Sequence, residues 1–349
     1  MTRYARESGR EREAREIVKY QRAAEVGRLM LGELRGPMEW FFYDQYIDKP
    51  RRELQDRRNA IRAYLRSEVE KFCKANFEGV KPEDLAGLYE PLYARGSSWR
   101  LPLTEFVQLL GQPRKGVLKG APLHSTVCLS YLWGLQTEYP EMHLSRDLAY
   151  SFNRAVEAER RFEEYDKIPR GRAKTKREEI AELERSGTFH RRMCVLSCFN
   201  LAEAYVNGLA WAYVQTHDIS GLSKTKQKVL IEGQTSILDK LVKVPQIISG
   251  RSPGPLESDR EPLSVFRDTI KPFRDSIVHA SPFAAPERFG GYEKLSKVYE
   301  LNLETVRQTV DMTLDIIGRI HRFVGGNGLL PKWMPSRKDD GTFEELYAE

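Results

Sequence analysis

An all-α fold is predicted from three observations. Apolar residues near the C-terminal end, Leu295, Val298, Leu301, Leu303, Val306, Val310, Leu314, Ile317 and Ile320, keep close to a 3.6-residue period. The stretch MCVLSCFNLAEAYVNGLAWAYV (193–214) is apolar on nearly every side, as a buried helix would be. Strand-type alternation surfaces only weakly, around GVLKGAPLHSTVCL.

Taken in order, residues 5–34 are dense in Arg and Glu, with Ile17, Val18, Ala24, Val26, Leu29 and Leu31 at roughly helical intervals, and Gly36-Pro37 ends that helix. Trp40, Phe41, Phe42, Tyr43 and Tyr46 follow. Such rings either stack on bases or pack between helices. Pro50 opens an arginine-rich helix to about Ala75. Arg51, Arg52, Arg58 and Arg62 on it are the candidate RNA contacts, although Glu53, Asp56, Glu68 and Glu70 interleave as on a solvated face. Prolines punctuate 78–125, leaving short helical pieces such as LTEFVQLLG; helical character is expected again over Thr126–Tyr139 and from Ser145 to about Tyr165. The charged run 166–184 reads as a connector and places a domain boundary. It divides a mostly helical N-terminal region, 1–180, from a helical bundle over 186–325, with a polar tail over 326–349.

In the bundle, Asn200, Glu203 and Asn207 share one face of the first, apolar helix, and buried polar groups need partners. A second helix is expected from about Lys224 to Val242, ending near Pro245. The third begins near Pro262 and carries KPFRDSIVHASPF, where Pro272 suits a first turn or a bend. The fourth runs from about Tyr292 to Phe323 and stops at Gly325-Gly326-Asn327-Gly328.

The 349 residues carry a net charge of +6, which fits a polyanionic partner. Four cysteines without a paired framework indicate a reducing, cytoplasmic setting. The charged N-terminus is unlike a signal peptide, and no stretch of about 18 apolar residues predicts a membrane span. GxxxxGK[ST], GxGxxG and HExxH are all missing, and no cofactor or metal is expected. His190, Cys194 and Cys198 have helical i, i+4 spacing that suits either zinc or plain packing, as do His124 and Cys128.

The candidate site is Arg274 with His279, and Asp275 beside the arginine. On a helix the two lie about 140° apart, flanking one edge. A guanidinium offers a fixed fork to phosphate oxygens, and an imidazole moves protons near neutral pH. Roughly 0.6 such pairs arise by chance in a chain this rich in arginine. A second one, Arg185 to His190, spans Gly187, which reads as a helix boundary.

Together, FNLAEAYVNGLAWAY and KPFRDSIVHASP resemble the HEPN superfamily, over about the last 40% of the chain. The resemblance implies a four-helix bundle and a metal-independent endoribonuclease acting as a homodimer, its cleft composed of one Arg–His helix from each copy. Arg274 and His279 would be catalytic, with Asp275 at a place more often held by asparagine; Glu203 and Asn207 would support the site. A toxin or antiviral-defence role, with an antitoxin or regulatory partner, follows by the same analogy. A subgroup carries tyrosine two places after the histidine; Ser281 stands there instead. The competing expectation is a non-catalytic helical scaffold or RNA-binding protein.

Overall fold

The computed structural model describes residues 9–31, 51–77, 79–90, 98–111, 118, 120–130, 134–167, 176–231, 233, 235–278 and 297–344. The chain is predominantly helical, with one small three-stranded sheet among these residues. Its contacts divide it into two units, residues 1–139 and 140–349, each with a core of its own.

The first unit holds α1 (Gly9–Leu31), α2 (Arg51–Asn76), α3 (Pro82–Gly87), β1 (Ser98–Pro102), α4 (Leu103–Leu110), β2 (Thr126–Ser130) and β3 (Gly134–Glu138). The strands form an antiparallel sheet with β2 central, in register from Ser98 opposite Ser130 and from Thr126 opposite Glu138. Helix was expected over Thr126–Tyr139, and the segment is instead a β-hairpin. Its apolar run is only a few residues long, and runs of that length do not distinguish a buried strand from a helix. Val127 and Leu129 are fully buried there, against a core that includes Ala23, Val26, Leu65, Val69, Phe77, Leu85 and Phe106. The aromatic cluster Trp40–Tyr46 lies outside the described residues.

The second unit begins with α5 (Pro140–Asp166), continues with α6 (Arg177–Thr216), and adds α7 (Lys224–Ile231) and α8 (Ile237–Ser249). The charged run 166–184, expected to separate domains, lies within one unit, its residues 177–184 opening α6, and α5 contributes Leu148 and Phe152 to the same core as α6. Gly187 does not end a helix. It lies within α6, and a Cβ built on it would stand 3.1 Å from the Ala158 side chain. The glycine serves close approach of α5 and α6, the most extensive helix pair among the described residues. Among the described residues α6 is also the one helix long and apolar enough to cross a bilayer by length and composition, and 56% of that window is buried within the protein.

The expected second helix is two. The Ser236 hydroxyl accepts from the Asp239 amide at 3.1 Å and starts α8 anew. Pro245 lies inside α8, which ends at Gly250 with φ 67°, a left-handed cap that favours glycine. The third helix has three parts: an α turn (Leu263–Val265), a π turn (Phe266–Ile270) and α9 (Lys271–Val278). Pro272 is thus interior to this helix. A proline there clashes with the carbonyl four residues back, that of Asp268, and the wider turn just before it relieves the clash. The last helix, α10 (Leu303–Phe323), begins later than its period suggests, where Asn302 Oδ1 accepts from the Thr305 amide at 2.8 Å. Thr309 and Thr313 are fully buried on it, and each hydroxyl is satisfied by the carbonyl four residues earlier at 2.8 Å.

The stretch expected as a polar tail enters the core. Phe343 is fully buried and meets Phe152 edge to face at 5.6 Å. Asn153 holds its backbone at both ends: Nδ2 donates to the Phe343 carbonyl and Oδ1 accepts from the Phe343 amide, each at 2.8 Å. Phe343→Ala is expected to cost about 3–5 kcal/mol of stability, measured by urea unfolding; a loss below about 0.5 kcal/mol would mean the segment is not docked in solution.

Candidate functional site

The site grows from the inward face of the third helix. Phe266, Ile270, Phe273 and Ser276 are buried at spacings of four, three and three, which fixes the rotation of α9 against α6. Arg274 and Asp275 then fall on the flank of that face, partly exposed, and Lys271 lies one turn earlier.

Arg274 is held by two contacts, a ring and a carboxylate. Its guanidinium lies 4.7 Å from the centroid of the Phe199 ring on α6. Phe199 in turn stacks on Phe266 at 5.4 Å with 17° between the planes, so two rings and a guanidinium form a layered stack. Arg274 Nη1 donates to Asp275 Oδ1 at 3.0 Å, while Nε is buried without a hydrogen-bond partner. Arginine carries five N–H donors, and the bond to Asp275 uses one. Asp275 Oδ2 also accepts from Lys271 Nζ at 2.5 Å. Burial pushes the Asp275 carboxyl up, but the bonds from Lys271 and Arg274 outweigh it and hold the group below the usual carboxylate range. The trio carries one surplus positive charge beside an aromatic platform, an arrangement suited to a phosphate oxygen.

His279 follows α9 and lies outside the described residues, as does Ser281. Glu203 stands one turn beyond Phe199 on the same face of α6 and takes no part in the ion pairs among the described residues. Asn207, a further turn on, accepts from Lys240 Nζ at 2.8 Å and so ties α6 to α8. The structure brings Arg274 and Asp275 together; it adds Lys271 and Phe199, which sequence reasoning passed over. Lys271 was legible as the i, i+4 partner of Asp275. Nothing in the sequence sets Phe199 apart from the other apolar residues of α6.

The basic stripe of α2 is largely compensated where it is described. Arg62 lies 4.0 Å from Glu16 of α1, and Arg66 pairs with Glu70 at 3.0 Å. The side chains of Arg51, Arg52 and Arg58 are outside the described residues. Cys194 and Cys198 are buried free thiols, and burial pushes that of Cys194 well up. No three metal-ligating side chains converge among the described residues. The second arginine–histidine pair sits on the unbroken helix α6, but Arg185 is strongly exposed and bound to Glu182 at 2.9 Å, while His190 is half-buried between the Tyr150 and Phe189 rings.

The folded-state carboxyl of Asp275 lies below its unfolded value of about 3.9. Its contribution is therefore complete above that value and is lost as pH falls through the folded one. Asp275→Asn is expected to lower stability by about 1 kcal/mol at pH 7, with the difference from wild type shrinking as urea titrations move down through the carboxylate range. An equal loss at every pH would remove the ion pairs as its cause.

Comparison with protein-family models, with curated proteins and with solved structures finds no match to this chain.

Proposed function

We propose that the second unit is a metal-independent endoribonuclease of HEPN type that acts as a homodimer on RNA. The observation that carries the reading is the guanidinium of Arg274, backed by Phe199 and braced by Asp275, five positions ahead of His279 in the motif KPFRDSIVHASP. RNA supplies its own nucleophile, the ribose 2′-OH. The enzyme removes that proton, steadies the charge on the phosphoryl oxygens and protonates the departing 5′-oxygen. His279 is the proton-transfer group. Arg274 stabilises the phosphoryl charge through the donors that Asp275 leaves unused, and Asp275 and Lys271 position it. A second His279 and Arg274 come from the partner copy, so one histidine accepts a proton while the other gives one. The products are a 2′,3′-cyclic phosphate and a 5′-hydroxyl. Glu203, one turn from Phe199 on α6, is assigned a supporting role on the resemblance alone, while Asn207 joins helices. On this reading the protein is a cytoplasmic toxin or defence effector, restrained by its first unit or by an antitoxin.

The engagement of Asn207 by Lys240 favours a second reading, a non-catalytic helical scaffold in which the polar face of α6 holds the fold together. The two readings separate in one assay. With end-labelled RNA in EDTA, the nuclease reading expects cleavage to persist, to fall about 10²- to 10⁴-fold in His279→Ala and about 10²- to 10³-fold in Arg274→Ala. Unchanged cleavage in both folded variants, or none in the wild type, would leave the scaffold.

A further inference from the structure

The third helix changes register immediately before the residues of the site. Leu263 to Val265 form an α turn, Phe266 to Ile270 a π turn, and α9 resumes at Lys271. The Lys271 amide donates to the Phe266 carbonyl, five residues back instead of four. Such a turn holds one residue more than an α turn. Every side chain beyond it points about 100° away from where an unbroken helix would put it.

That offset decides what Arg274 can touch. Arg274 stands eight positions after Phe266. In an unbroken α-helix that separation leaves two side chains about 80° apart. With one residue absorbed by the π turn, the pair behaves as if seven apart, and the two lie within about 20° of one line. Both then project from one face, roughly 10 Å apart along it. The Phe199 ring of α6 meets both: Phe266 stacks on it at 5.4 Å, and the Arg274 guanidinium lies 4.7 Å from its centroid. An uninterrupted helix would keep Phe266 on the ring and turn the guanidinium away from it.

Pro272 bears on whether the turn stays open. It has no N–H with which to close an α turn, and its ring would press on the Asp268 carbonyl if the turn closed. Leu263 and Phe266 are fully buried and fix the near end of the helix, so a change of register falls on α9. We infer that Pro272 is a positioning residue, which holds the π turn open and thereby aims Arg274 at the Phe199 ring. The consequence for catalysis rests on the nuclease reading; the aim of the side chain does not.

Two variants of the full chain test the register. Pro272→Ala lets the turn close and rotates α9. Pro272→Ala combined with deletion of Thr269 removes the extra residue, so a regular helix brings Arg274 back into line with Phe266. The direct readout is the NMR resonance of the Arg274 Nε–H, which the ring current of Phe199 shifts upfield and which Phe199→Leu identifies by abolishing that shift. Pro272→Ala is expected to lose the shift and the added deletion to restore it, with both variants helical by circular dichroism. In the cleavage assay Pro272→Ala is expected to lose about 10²-fold in kcat at nearly constant KM, and the added deletion to recover it. Deletion of Asp268, an exposed residue of the same turn, replaces that of Thr269 if the latter variant does not fold. An undiminished shift in Pro272→Ala would overturn the role of Pro272. A folded deletion variant without the shift, or a wild type without it, would overturn the register. A wild type that shows the shift and its recovery but cuts no RNA removes the nuclease and leaves the positioning in place.

Discussion

The dry middle of α6 constrains everything else in the second unit. Cys194, Cys198, Leu201, Ala202 and Val206 are fully buried, and α5, α8, α10 and the third helix press on them from different sides. A helix enclosed to that degree cannot leave polar side chains where they fall, since an unsatisfied one costs about 1–3 kcal/mol. Its polar residues are displaced to seams between helices. Asn207 is spent on Lys240, and Glu203 comes one helical turn after Phe199, the ring that backs Arg274. The candidate site is one such seam, and Phe199 belongs both to the core and to the site.

That double role gives Arg274 a backing that a fully solvated arginine lacks. A solvated guanidinium loses rotamer freedom whenever it meets a ligand. Here the stack on Phe199 and Phe266, together with the bond to Asp275, has already restricted it. Pre-set donors stabilise developing charge without reorganising at the moment of reaction. The π turn ahead of Pro272 contributes as well, since it lets a proline-bearing helix continue to the residues that carry the arginine.

Helices were the legible part of the fold. The arginine- and glutamate-rich periods of α1 and α2, the apolar length of α6 and the regular repeat of α10 each have a physical signature that survives without coordinates. What escaped is instructive in kind. The hairpin β2–β3 is too short for its period to speak. Gly187 looked like a breaker because the sequence does not say that Ala158 lies 3.1 Å from where its Cβ would be. Phe343 looked like part of a polar tail because one phenylalanine among charges gives no pattern, and only its burial against Phe152 gives it a role. At the site, the short-range pair of Arg274 and Asp275 was readable from adjacency. The ring beneath the arginine comes from 75 residues earlier, and no local rule could have supplied it.

The grip of Asn153 on Phe343 spans 190 positions. A ribosome adding roughly 5–20 residues each second makes α5 some 10 to 40 seconds before the phenylalanine that completes its packing. Through that interval the nascent second unit lacks its closing wedge, with Phe152 uncovered on one side, whereas the whole of the first unit has already emerged. Translation therefore imposes an order on maturation. The unit bearing Arg274 completes its packing only after synthesis has passed residue 343.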